Sequence, residues 1–254
     1  MLYRFSGGPD GAYPQHGDLT FDQAGNIYGT TSNGGQPSCD CGVVFELSRS
    51  GAGWTESVLY TPGSPPYSGV IFDGTGNLYG TTLNYVYELT PTQSGWTQTT
   101  LHTFGGQGDG ALAYGGLVFD QQGNVYGTTE TNSSNNGGTV YELQQSGGNW
   151  TETVLRSVAI GPTDTPTMDA SGDLYATLGG LNGPNFGAVF KLTPGGNGWT
   201  FTDLFDFTGA PFTDGFSPVG GVVLDSAGNL YGTTFEGGDE NCGEGCGVVW
   251  EITP

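Results

Sequence analysis

The sequence predicts an all-β protein made of five tandem four-stranded units, and three observations carry that prediction. The first is a repeat. The stretch from Asp22 to Thr31 returns as Asp73–Thr82, Asp120–Thr129, Asp169–Leu178 and Asp225–Thr234, which places tyrosines at 28, 79, 126, 175 and 231, roughly 50 residues apart. A period of that length marks repeated supersecondary units. The second is composition: 49 Gly and 14 Pro with only 11 % charged residues describe short strands joined by many turns. With 13 % aromatic residues and regular strand-like runs, disorder is a poor alternative. The third is the order of strand candidates, four to a unit, with a single strand candidate left over at the start of the chain and one missing at its end.

Each repeat core reads as a β-hairpin. Asp-x-x-Gly forms the turn, because a short carboxylate bonds backbone N–H groups and Gly takes the position with positive φ. Asn-(Ile/Leu/Val)-Tyr-Gly-Thr-Thr forms the outgoing strand, rich in residues that suit a half-buried pleated surface. The glycine after each tyrosine (Gly29, Gly80, Gly127, Gly232; Ala176 in the fourth copy) is expected where a neighbouring sheet approaches closely.

In the first unit the strands are Gly17–Asp22, Gly25–Thr31, Gly42–Ser48 and Trp54–Tyr60. The second uses Val70–Asp73, Asn77–Thr82, Tyr85–Thr90 and Trp96–Phe104, and the third Gly116–Asp120, Asn124–Thr129, Thr139–Leu143 and Trp150–Val158. The fourth departs most: Asp173 replaces Asn, Lys191 replaces Glu, and its first strand, Thr165–Met168, contains a proline. The fifth runs Gly221–Asp225, Asn229–Thr234 and Val248–Thr253, and then the chain stops one strand short. Leu2–Phe5 matches the end of a fourth strand and is expected to complete that last unit. Tandem four-stranded units closed by both termini describe a five-bladed β-propeller, which leaves only short, protected edges. We read one domain, 1–254, with blades at about 17–61, 69–104, 115–158, 165–207 and 220–254 plus 2–5.

The combination Gly-Asn-Leu-Tyr-Gly-Thr-Thr, Gly-Val-Val-Phe-Glu-Leu, Gly-Trp-Thr and Leu-Tyr resembles the GloVer-type tandem repeats of bacterial surface and secreted proteins, across essentially the whole chain. The Asp-x-x-Gly-Asn-Leu-Tyr core is also similar to other propeller repeats, including those of two-component sensor domains. The resemblance implies an extracellular propeller-like module, often part of a longer anchored protein, and transfers no enzymatic activity.

Twenty-five acidic against four basic residues give a net charge of −21. That opposes phosphate binding, so nucleic acid and anionic membrane surfaces are not expected partners. No stretch has the apolar length of a membrane span, and the opening residues Met1–Phe5 do not read as a signal peptide. Scarce lysine, abundant Thr, Asn, Ser and Gly and closely spaced cysteines point to a secreted or cell-surface setting, with this chain a mature or excised segment.

Candidate chemistry falls on the irregular loops that lead into each unit, where rigid scaffolds carry function. Three share Asp-Gly followed by an aromatic: Asp10 with Tyr13, Asp109 with Tyr114, and Asp214 with Phe216. The second loop, Pro62–Tyr67, lacks the Asp but ends in Tyr67. These carboxylates and rings form a candidate carbohydrate site, weighed against plain Asp-Gly turns. The turn aspartates Asp22, Asp73, Asp120, Asp169 and Asp225 read as local amide caps rather than cation sites, and the repeat tyrosines and Trp54, Trp96, Trp150 and Trp199 as packing.

No catalytic residue is assigned. Glycoside hydrolysis needs two carboxylates across the bond, and Asp10, Asp109, Asp164 and Asp214 supply a pair only if their loops converge. His16 and His102 adjoin no nucleophile motif. Cys39 with Cys41 and Cys242 with Cys246 are expected as two local disulfides, cross-blade pairs and a zinc site being alternatives. Asp239, Glu240 and Glu244 are oxygen ligands of the kind Ca²⁺ takes, but read better as an exposed acidic loop, so no cofactor is expected. The functional expectation is binding or assembly, with glycans or other surface proteins as partners and self-association as a possibility; a polysaccharide-active enzyme and a purely structural repeat are the alternatives.

Overall fold

The computed structural model describes residues 1–14, 17–106, 108–131, 137–179, 186–209, 214–238 and 245–253. Strands and turns account for all its regular structure. Blade one comprises β1 (Thr20–Phe21), β2 (Ile27–Thr31), β3 (Val43–Ser50) and β4 (Gly53–Tyr60); blade two comprises β5 (Ile71–Phe72), β6 (Leu78–Thr81), β7 (Tyr85–Thr92) and β8 (Gly95–Thr103). Blade three has β9 (Val118–Phe119), β10 (Val125–Thr129), β11 (Thr139–Ser146) and β12 (Asn149–Ser157), and blade four β13 (Thr167–Met168), β14 (Leu174–Leu178), β15 (Ala188–Gly195) and β16 (Gly198–Asp206). The fifth holds β17 (Phe216–Leu224), β18 (Leu230–Glu236) and β19 (Val249–Ile252). Each sheet is antiparallel with strands in sequence order, four strands in the first four blades and three described strands in the fifth. The architecture is a five-bladed β-propeller.

The Asp turn joins the first and second strands of every blade. The Asp22 carboxylate accepts from the Ala24 and Asn26 amides at 2.9 and 2.8 Å, from Asn26 Nδ2 at 2.8 Å and from Tyr28 Oη at 3.3 Å. The same set recurs at Asp73, Asp120 and Asp225. Burial would raise the Asp22 and Asp73 carboxyls, yet these donors outweigh it and hold both below the usual range. In blade four Asp173 cannot donate a side-chain amide, and Lys191, where the other copies have Glu, pairs with its carboxylate at 3.0 Å. The two departures in that repeat compensate each other.

The glycine after each tyrosine serves a different purpose from the one expected. It makes room for an aromatic ring from the third strand of its own sheet, not for a neighbouring sheet. Gly127 pairs with Tyr141 across β10 and β11, and a Cβ on Gly127 would lie 2.3 Å from Tyr141 Oη. A Cβ on Gly29, Gly80 or Gly232 would likewise lie 2.7, 2.4 or 2.1 Å from Phe45, Tyr87 or Trp250. Glycine makes room for the ring in four copies; in the fourth blade Ala176 stands at that position, paired with Phe190.

Blades pack through the repeat tyrosines. Phe72 meets Tyr28 edge-on at 4.9 Å, and Phe119 meets Tyr79 at 5.0 Å. Trp96, Trp150 and Trp199 lie against the same interblade clusters. The first of the paired threonines then crosses the seam: Thr30 Oγ1 donates to the Ser68 carbonyl at 2.7 Å, Thr81 to Gly115 at 2.9 Å and Thr128 to Asp164 at 2.9 Å. In blades two to four these carbonyls lie just before the innermost strand and bond hydroxyls instead of the sheet, and there that strand is only two residues long.

The seam between blades five and one is built differently. Leu2–Phe5 places its side chains as a fourth strand's end would, with Phe5 5.0 Å from Phe45 as Phe104 is 5.1 Å from Tyr141. It forms no strand, and no backbone hydrogen bond joins it to β19 among the described residues. The expected closing strand is therefore realised in side-chain packing and not in pairing, because Phe5 is held by the blade-one cluster of Ile27, Val43, Phe45 and Leu47 rather than by the fifth sheet.

Candidate functional site

The five inner edges surround one cavity of about 830 Å³. Glycines set its width. Gly17, Gly69, Gly115, Gly116, Gly220 and Gly221 bring backbone to the wall, and a Cβ on Gly115 would lie 2.4 Å from the Asp164 carbonyl. Between them stand the hydroxyls of Thr20, Ser68, Thr163, Thr165 and Thr167, the carboxylates of Asp18, Glu130 and Asp164, and the rings of Tyr67 and Tyr114. No lysine, arginine or histidine is among the described lining residues.

Asp164 is the most constrained of these groups. Its carbonyl accepts from Thr128 of blade three, and its carboxylate accepts from the Gly220 amide of blade five at 2.8 Å. One residue thus ties three blades at the channel wall. Burial raises its pKa, with the Gly220 amide and the Thr163 hydroxyl opposing. Tyr67 and Tyr114 meet edge-on at 5.2 Å, and burial followed by the Glu130 charge raises the Tyr114 phenol. The wall therefore offers hydroxyls, peptide groups, anionic acceptors and two rings.

Among the residues expected from sequence, Tyr67 and Tyr114 come together in this cavity. The three loop aspartates do not line it and shape their own loops instead. Asp10 accepts from Ser6 N at 2.8 Å, Ser6 Oγ at 2.6 Å and Tyr3 Oη at 3.0 Å, and the Ser6 hydroxyl leads in lowering its pKa. Asp109 accepts from the Gly105 and Gly106 amides at 3.3 and 3.0 Å, and Asp214 from the Thr208 amide and hydroxyl at 2.8 Å each. Phe216 is buried against Phe186 at 5.6 Å. Tyr13 is 61 % exposed with φ +57°, and Leu112 and Ser217 hold the matching left-handed positions in blades three and five.

His102 lies 3.4 Å from the Asp109 carboxylate, and burial keeps its pKa low against that charge. Glu152 is pushed up to about 7 by burial first and by the charge of the same Asp109 second. Cys39 and Cys41 form a disulfide with Cα atoms 5.1 Å apart. Cys246 is also disulfide-bonded, while Cys242, its expected partner, lies outside the described residues, as do Asp239, Glu240, Glu244 and His16. The described residues hold no cluster of three metal-ligating side chains, and no described helix is long and apolar enough to cross a membrane.

Residues 60–245 match the Gloeobacter/Verrucomicrobia repeat. The chain belongs to that repeat family. No curated protein matches the sequence. Among solved structures, virginiamycin B lyase from Staphylococcus aureus is 19 % identical with a TM-score of 0.57, over 85 % of this chain and 62 % of that one. A gluconolactonase from Xanthomonas campestris is 13 % identical with a TM-score of 0.56, covering 93 % of the repeat protein and 71 % of its own chain. The extracellular domain of a putative one component system from B. thetaiotaomicron is 13 % identical with a TM-score of 0.57, over 86 % of the repeat protein and 26 % of that chain. At these identities the likeness is one of fold, and the repeat protein spans less than two thirds of the lyase's length.

Sequence reading missed Asp18 and Glu130 and named Asp164 only as one loop carboxylate among four. Their common signal is position relative to the repeat: each lies just before an inner strand or just after Thr-Thr, where the chain meets the axis.

Proposed function

We propose that this repeat protein is an extracellular binding module that takes a neutral, polyhydroxylated ligand, a carbohydrate, into the mouth of its central cavity. The observation that carries the reading is the wall itself. Peptide groups, hydroxyls and carboxylates converge there with the Tyr67 and Tyr114 rings, and no basic side chain is among the described lining residues. Hydroxyl-bearing ligands satisfy such acceptors, while aromatic faces cover the apolar side of a sugar ring. Anionic ligands meet three carboxylates and a net charge of −21. Asp10, Asp109 and Asp214 support this site indirectly, by holding the loops that lead to it.

Display outside the cell is supported by the repeat family and by the neighbour that is an extracellular domain. The test is thermal unfolding across a panel of neutral oligosaccharides and polysaccharides, since a ligand bound only by the native state raises apparent stability. A saturable shift that disappears in Tyr114→Ala supports the site; no shift with any sugar overturns the carbohydrate reading. A second reading, a polysaccharide-active enzyme, draws on the raised Asp164 carboxyl beside other carboxylates in the cavity. It requires new reducing ends to appear, and to vanish in Asp164→Asn.

A further inference from the structure

Four seams in this molecule show what a blade face requires. The side that looks to the following blade presents a tyrosine and a valine: Tyr28 and Val44, Tyr79 and Val86, Tyr126 and Val140, Tyr175 and Val189, all buried. The side that receives it presents an inner-strand pair such as Val70 and Phe72 or Leu117 and Phe119. A hydroxyl from the first blade bonds a carbonyl of the second at three of these seams.

At the fifth seam every one of these elements exists, and among the described residues none is engaged across it. Val249, the counterpart of the fully buried Val44, Val86 and Val189, is 81 % exposed. Tyr231 beside it is only half-buried, and Thr233 donates to the Val219 carbonyl of its own sheet. On the receiving side Leu19 and Phe21 are 54 % and 62 % exposed, where Val70 and Leu117 are at 1 % and 3 %. Phe5 already occupies the outer part of that receiving face, where Tyr60, Phe104 and Phe207 sit in other seams. The fifth sheet has three described strands where the others have four. The two bare faces are the two halves of one seam.

We propose that this seam is an interface for a further blade of the same repeat, and that in a solution of this chain a second copy supplies it, blade five of one copy docking on blade one of the next. Phe21 then packs on Tyr231 as Phe72 does on Tyr28, and Leu2–Phe5 pairs with the free edge of β19. The two faces differ, so the contact is heterologous and propagates or closes according to its rotation. Because both copies carry the same large negative charge, added salt strengthens the association.

The experiment is sedimentation velocity over a concentration series, on the full chain and on Phe21→Asp and Val249→Asp. Both substitutions fall at exposed positions, so each variant folds. The intact chain self-associates, more tightly at high salt, and each variant does so about 30-fold more weakly or worse, as for a central interface residue. Mixing the two variants restores one intact seam and gives a 1:1 heterodimer that grows no further. A monomeric intact chain at every concentration overturns the proposal, including the case in which its own ring closes the seam. So does a single variant that associates as well as the intact chain, or a mixture that yields no heterodimer.

Discussion

Gly127→Ala is the substitution whose cost the geometry specifies best. The added Cβ would stand 2.3 Å from Tyr141 Oη, 2.6 Å from Tyr141 Cζ and 3.1 Å from a Leu117 methyl. Tyr141 is fully buried between blades two and three and Leu117 nearly so, so neither ring nor methyl has an empty space to enter. Overpacking of this kind costs about 1–3 kcal/mol, which for a chain of this size lowers Tm by about 3–10 °C. The fourth repeat indicates the remedy, since Ala176 there faces Phe190. Tyr141→Phe removes the closest contact and also a buried hydroxyl that has no hydrogen-bond partner. The double variant Gly127→Ala, Tyr141→Phe is therefore more stable than the sum of the single effects by about 0.5–1 kcal/mol or more. Urea denaturation of the four proteins measures the cycle. A neutral Gly127→Ala, or the same penalty with and without the hydroxyl, would refute the role given to the glycine.

Three further outcomes are expected. Lys191→Glu breaks the pair with Asp173 and places a carboxylate beside it, costing about 1 kcal/mol; adding Asp173→Asn rebuilds the Asn and Glu arrangement of the other blades and recovers the loss, read by thermal denaturation. Glu152 binds its proton more tightly folded than unfolded, up to about 7, so it makes stability fall as pH rises from the ordinary glutamate range to 7; Glu152→Gln flattens urea midpoints across that window, and an unchanged slope contradicts the assignment. The lowered Asp22, Asp73 and Asp225 carboxyls act oppositely: their stabilisation is present above the usual aspartate value and lost as pH falls through their folded values, a loss that Asp73→Asn reduces in acid titrations.

What was legible in the sequence is what local chemistry decides. An Asp that caps its own turn, a Gly with positive φ and a strand tyrosine carry their signal within ten residues, so five units and their strand order could be read directly. The cavity could not. Asp18, Glu130 and Asp164 occupy different offsets in three repeats and meet only because five blades share an axis. The purpose of Gly29, Gly80, Gly127 and Gly232 was also hidden, since it depends on a ring, Phe45, Tyr87, Tyr141 or Trp250, that crosses over from the paired strand. The open seam showed only as the missing fourth strand of the last unit: Leu19, Phe21 and Val249 obey the same pattern as their buried counterparts, and only packing distinguishes them.

The binding reading is tested most directly by hydrogen exchange with and without a saturating neutral oligosaccharide from the panel. The account predicts slowed exchange at the amides of Tyr67–Gly69, Tyr114–Leu117 and Thr163–Thr165, which line the cavity, with little change in the loops capped by Asp10, Asp109 and Asp214. Protection confined to those loops, or to the outer strands, would contradict it.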